Sequence, residues 1–129
     1  MSELDKNSII GITALLVHAA KIDEIYSEHE KDLIKVFIRS YLKNEEANQV
    51  LKLAEQTEKD SNQLLNFTNF IKQNSLEVKK DIIEHLWKVI ISDNSIDQYE
   101  SNLMRRICGL IYFPDKESGE IKLKLLNKK

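Results

Sequence analysis

Apolar positions recur along most of the chain at the spacing of α-helices. Between Ile9 and Ile22 the residues Ile9, Ile10, Ile12, Leu15, Leu16, Val17, Ala19 and Ala20 cover nearly every side of a helix, the pattern of a centrally buried segment. Ser8 is a suitable N-cap for it. A second, amphipathic helix is expected from Glu28 to Leu42, with Leu33, Ile34, Phe37, Ile38 and Leu42 on one stripe. A third covers Asn44 to Lys59 through Ala47, Val50, Leu51 and Ala54. A shorter fourth runs from Asn62 to Gln73 with Leu64, Leu65, Phe67, Phe70 and Ile71, and Asp60 and Ser61 supply the break and the cap. Ser75 opens a strongly apolar helix through Ile82, Ile83, Leu86, Trp87, Val89, Ile90 and Ile91, and another follows from Gln98 to Leu110. Pro114 marks the next joint. The last helix, Asp115 to Leu126, ends in Asn127, Lys128 and Lys129, where positive charge suits a helix C-terminus.

Composition supports this reading. Three Gly and one Pro leave little material for the turns of a sandwich or barrel, and no Pro, Gly or Ser-rich linker divides the chain. The expected fold is therefore all-α, a compact bundle of about seven helices, with residues 1–129 forming one domain. At 129 residues, 42% hydrophobic and 31% charged, the chain can bury a core and keep both signs of charge outside.

Laying the chain on itself with a shift of 70 residues exposes an internal repeat. Leu86 falls on Leu16, Asp93 on Asp23, Glu100 on Glu30 and Leu103 on Leu33. Segments 23–30 and 93–100 share Asp first, an apolar residue fourth, an N-cap type fifth and Glu eighth, each between a very apolar helix and an amphipathic one. This is the signature of a duplicated helix, acidic loop, helix unit.

Two chemistries fit the repeated motif. Ser27 with Glu30, and Asp97 with Glu100, have capping-box spacing, in which the cap side chain accepts from the third amide and the Glu reaches back. Asp23 and Asp93 suit turns whose side chains accept from backbone amides two positions on. Both aspartates also follow a helix C-terminus, where negative charge meets the negative end of the dipole at a cost of up to about 1 kcal/mol. A bound cation would remove that cost. Asp23, Glu30, Asp93 and Glu100, with Asp97 secondary, are the candidate ligands, and an oxygen-only set favours Ca²⁺, Mg²⁺ or Mn²⁺. The motif is not an EF-hand: counted from Asp93, Gln98 stands at the turn Gly and Met104 at the bidentate Glu.

Other chemistry is weak in the sequence. His18, His29 and His85 have no metal-ligand spacing, and Cys108 lies on the stripe with Met104 and Ile111, as a buried thiol would. No Ser/His/Asp or Cys/His set can be argued. Trp87, Phe67 and Phe70 read as core. The glycines, at Gly11, Gly109 and Gly119, form no phosphate loop. Lys122, Lys124, Lys128 and Lys129 read as a solvated helix end.

The net charge of −2 lacks the electrostatic footprint of a nucleic-acid binder. One cysteine excludes an internal disulfide and fits a reducing, cytoplasmic location. The longest apolar runs are too short to span a bilayer.

The run Leu86-Trp87-Lys88-Val89, then segment 92–100, followed by Arg105-Arg106-Ile107, resembles the second acidic segment of the TerB-like family. That family is named for tellurite resistance and related to the N-terminal domain of a membrane-anchored J-domain co-chaperone. Ala19 through Glu30 resembles the family's first acidic segment, and Leu65-Asn66-Phe67-Thr68-Asn69-Phe70 its middle helix, so the resemblance covers essentially the whole chain. It implies an all-α bundle with two acidic segments as its characteristic surface, and metal binding or a scaffold role in stress response. The sequence departs from the family pattern where Glu24 and Asn94 stand in place of Gly after each motif Asp. Asn accepts the left-handed backbone more readily than Glu, so the first loop is expected to differ in shape.

The expectation is a non-enzymatic module that holds a divalent cation in its acidic loops. The alternatives are a metal-free module that docks a protein partner, with a homo-oligomer also open, and, ranked last, a carboxylate-based hydrolase, which needs an acid with a raised pKa in a pocket.

Overall fold

A computed structural model of the chain describes residues 5–22, 26–92 and 98–127. Among these are seven α-helices and no strand: α1 Lys6–Ala20, α2 Glu28–Arg39, α3 Ala47–Asp60 after a short 3₁₀ turn at Asn44–Glu46, α4 Leu65–Lys72, α5 Leu76–Ile91, α6 Gln98–Ile111 and α7 Asp115–Asn127.

Helix α1 is the central element and packs against α2, α3, α4 and α5, while α7 covers α5 and α6. Its burial on nearly all sides follows from its sequence: Ile9, Ile12, Leu15, Leu16, Val17, Ala19 and Ala20 join one apolar cluster with Phe37, Ile38, Val50, Ile71, Ile82, Leu86, Ile107 and Ile111. Small residues at Gly11, Ala14, Ala19 and Ala20 let its neighbours approach closely. Thr13 is buried inside this helix because its hydroxyl donates to the Ile9 carbonyl at 2.6 Å.

The expected elements are present, with boundaries corrected by local hydrogen bonding. The N-cap of α1 is Asp5, not Ser8: the Asp5 carboxylate accepts from the Ser8 amide at 2.8 Å, which places Ser8 inside the first turn. Helix α2 stops at Arg39 rather than Leu42, and the Ser40 hydroxyl turns back to donate to the Phe37 carbonyl. Helix α4 begins at Leu65, later than Asn62. Ser61, expected to cap it, instead closes α3, and its hydroxyl accepts from Asn66 Nδ2 at 2.6 Å. Phe67 and Ile71 are buried on α4, but Leu65 and Phe70 are exposed, so its apolar stripe is narrower than the sequence suggested. Ser75 caps α5 as expected, accepting from the Val78 amide.

Trp87 is buried, and its indole N–H donates to Ser118 Oγ at 3.0 Å, tying α5 to α7. Helix α6 ends in a Schellman arrangement, in which the Phe113 amide donates to the Cys108 carbonyl and Tyr112 takes a left-handed φ of 60°. No helix among the described residues is long and apolar enough to cross a membrane.

Candidate functional site

The repeat seen in the sequence is a structural repeat in its helical parts. Apolar α1 leads into α2 and apolar α5 into α6, with the two acidic segments at the joints. Asp23, Asp93 and Asp97 lie outside the described residues. Glu30 and Glu100 occupy equivalent places, the third position of α2 and of α6. Their exposures are 6% and 3%, which makes them the two buried carboxylates of the described chain.

The capping expectation for the first copy holds. The Glu30 amide donates to Ser27 Oγ at 3.1 Å, and the Ser27 amide donates to Glu30 Oε1 at 2.8 Å, a complete capping box. In the second copy the corresponding cap, Asp97, falls outside the described residues, so its box with Glu100 is not described.

The first acidic segment has a further member that local spacing could not reveal. Tyr26 donates its hydroxyl proton to Glu55 Oε2 on α3 at 2.6 Å. Burial drives the Tyr26 hydroxyl pKa far above its ordinary value, assisted by the hydrogen bond and charge of Glu55 and then by the charges of Glu30 and Glu28. The carboxylates of Glu55, Glu30 and Glu28 thus add negative charge around Tyr26. Lys31 answers part of it, standing 5.0 Å from the Tyr26 ring centroid and 3.6 Å from Glu28 Oε1.

Residues next to both acidic segments meet in one hollow of about 280 Å³. His29 and Leu33 from the first turns of α2 face Ile91 and Ser92 from the end of α5, with Lys88 and Leu125 completing the wall. Among the described residues no group of three or more His, Cys, Asp or Glu side chains is gathered as a metal site would need.

Three other carboxyls have displaced titration through their hydrogen bonds. Glu58 on α3 accepts from Lys21 Nζ at 2.8 Å and lies 3.1 Å from His18 Nδ1. Burial pushes the Glu58 carboxyl upward, but the hydrogen bonds from Lys21 and His18 outweigh it and hold the group below its usual range. Asp81 on α5 is lowered by hydrogen bonding to His85, against an opposing contribution from burial, and it also accepts from Tyr41 Oη at 2.7 Å. Asp5 is lowered by the Ser8 amide. These three displaced carboxyls move in the direction opposite to that of a general acid. Cys108 is buried, and burial pushes its thiol up, away from nucleophilic character.

The family model for tellurite resistance protein TerB matches residues 10–123, from the second turn of α1 to the middle of α7. No curated protein and no solved structure matches the chain. The match takes in both acidic segments, Trp87 and the Phe67-Thr68 pair of α4 within one seven-helix arrangement, and the chain belongs to the TerB tellurite resistance protein family.

Proposed function

We propose that the whole chain acts as one non-enzymatic TerB-family module that holds a hard divalent cation, Ca²⁺, Mg²⁺ or Mn²⁺, through Asp23, Glu30, Asp93 and Glu100, with Asp97 secondary, in a cytoplasmic stress-response or scaffold role. The observation that carries this reading is the burial of Glu30 and Glu100, at matching positions of a repeat whose two sequence segments each begin with an Asp. Burying a carboxylate is costly unless charge or hydrogen bonds compensate. The capping box supplies part of that compensation at Glu30, and the carboxylates repeated in the two segments form the oxygen-only set that a hard cation takes. The negative surroundings of Tyr26 favour the same ligand class.

A second reading, a metal-free module that docks a protein partner, is favoured by Tyr99. It is 75% exposed in the first turn of α6, immediately before Glu100. Exposed aromatic side chains are enriched in protein interfaces.

The deciding experiment is an amide NMR titration of chelator-treated protein with Ca²⁺ and Mg²⁺, with Mn²⁺ broadening as a locator. Asp23→Asn and Asp93→Asn serve as controls. Saturable changes confined to the two acidic segments, and lost in the controls, support the cation module. Their absence at millimolar ion sinks it and leaves partner docking as the reading to pursue.

A further inference from the structure

We infer that the cleft between the α3–α4 connection and α6 binds a small organic carboxylate with an apolar body, its charged end held by Arg106. The cleft has two adjoining chambers. The larger, about 500 Å³, is walled by Leu64, Leu65 and Leu110, with Arg106, Asn62 and Gln63 among them. The smaller, about 240 Å³, shares Arg106, Asn62, Gln63 and Leu64 with it and adds His18 and Phe67. This is the size and make-up of a small-molecule site, mostly apolar with a few convergent polar groups.

Charge decides the ligand. In a chain with 21 acidic residues and a net charge of −2, neither chamber has an Asp or Glu in its wall. Arg106 makes no ion pair or hydrogen bond with any described residue. Its guanidinium therefore keeps the planar fork that matches a carboxylate through two parallel hydrogen bonds. Glu58, which lies against the His18 of this wall, is occupied by Lys21 and by Nδ1 of that histidine, which leaves the other ring nitrogen of His18 available to the smaller chamber. Leucine side chains beside the cation select an apolar body over a bare inorganic anion.

The wall is also pre-formed. Ser61 Oγ accepts from the Gln63 amide at 3.4 Å and from Asn66 Nδ2 at 2.6 Å, which pins the α3–α4 connection that lines the cleft. A pinned wall has less conformational freedom to lose on binding. No residue of segments 23–30 or 93–100 takes part, so this site stands or falls separately from the cation module.

The test is a methyl and side-chain N–H NMR titration of the full chain with sodium hexanoate, compared with hexanamide and with sodium phosphate. Hexanoate should give saturable shifts at Arg106 Nε–H, at the Asn62 and Gln63 amides and at the Leu64 and Leu110 methyls. Hexanamide and phosphate should bind at least about tenfold more weakly, and Arg106→Gln should weaken hexanoate by about tenfold, as expected when a hydrogen bond to a charged group is lost. Gly109→Leu gives an independent check. A Cβ at Gly109 meets no atom within 4 Å, and Leu is the better helix former, so this variant folds while filling the larger chamber, and it should abolish the shifts. The proposal is overturned by an absence of saturable shifts with hexanoate, by equal affinity for hexanamide, or by undiminished binding in either variant.

Discussion

The ring of Phe70 on α4 lies over Gly11 on α1, in the space that a Cβ on Gly11 would occupy. The contact brings the short helix α4 against the central helix, and it turns a helix-weakening residue into a packing requirement. In an open helix Gly→Ala gains roughly 0.5–1 kcal/mol. Here overpacking, typically about 1–3 kcal/mol, opposes that gain. Gly11→Ala should therefore destabilise the protein by about 1 kcal/mol, while the same change in a Phe70→Ala background should stabilise it. Urea denaturation of the four proteins of the cycle measures this sign reversal, and a Gly11→Ala effect of the same sign in both backgrounds would show that Phe70 is not the obstacle.

Tyr112 provides a second conformational test. It occupies the left-handed C′ position after α6, a place usually held by Gly, and is 68% exposed. Lys72 stands 5.1 Å from its ring centroid and recovers a little of the cost through a cation–π contact. Thermal stability should fall in the order Tyr112→Gly, wild type, Tyr112→Val, with about 1–2 kcal/mol between the extremes, because a β-branched residue tolerates positive φ worst. A valine variant as stable as the glycine variant would mean that the Schellman geometry is not retained in solution.

The helices themselves were readable from the chain because their signal is periodic. Ile9 to Ala20 and Ile82 to Ile91 carry enough apolar residues to fix type and burial. What the sequence could not supply was competition among short polar residues for the same amides. Asp5 and Ser8 can each cap α1, and Asp5 prevails by accepting the Ser8 amide. Ser61 serves the end of α3 rather than the start of α4. The candidate site was legible to the same degree. Glu30 and Glu100 were found through their equivalent spacing, whereas Glu55 joins Tyr26 across 29 positions and Arg106 and His18 line one hollow from α6 and α1, relationships that no local pattern encodes.

Two buried hydroxyls should respond in opposite ways to removal. Ser118 Oγ accepts from the Trp87 indole N–H, so Ser118→Ala leaves a buried donor unpaired and should cost about 1–3 kcal/mol. Thr68 Oγ1 is buried with no hydrogen-bond partner among the described residues. Thr68→Val removes the unpaired group at nearly constant shape and should leave stability unchanged or raise it by about 1 kcal/mol. Denaturation midpoints check both, with Trp87 fluorescence reporting the change around the indole.

Acid should loosen the ties made by Glu58 and Asp81. Both carboxyls are held below their ordinary values of 4.5 and 3.8 in the folded protein. Below the ordinary value the unfolded chain binds protons that the folded one resists, so stability rises with pH through this window. The contribution is fully present above those values and is lost as pH falls through the lowered folded ones. Glu58→Gln and Asp81→Asn should each flatten the dependence of the denaturation midpoint between about pH 5 and pH 2. If the slope is unchanged in both variants, other carboxyls govern the acid limb.

Glu30 offers the sharpest separation of structure from function, because capping and cation binding make different demands on its side chain. A capping box accepts Gln in place of Glu, since either carbonyl oxygen can take the Ser27 amide. A hard cation is held largely by charge, and a neutral amide is the poorer ligand. Glu30→Gln should therefore keep stability within about 0.5 kcal/mol, the usual range for a substitution that preserves its hydrogen bond. It should also abolish the cation response of the first segment. Glu30→Ala should lose the cap as well, at about 1 kcal/mol. Denaturation and cation titration on the same two variants read the stability and ligand outcomes independently. A Gln variant that retains full cation response would reduce Glu30 to its capping role and remove it from the proposed ligand set.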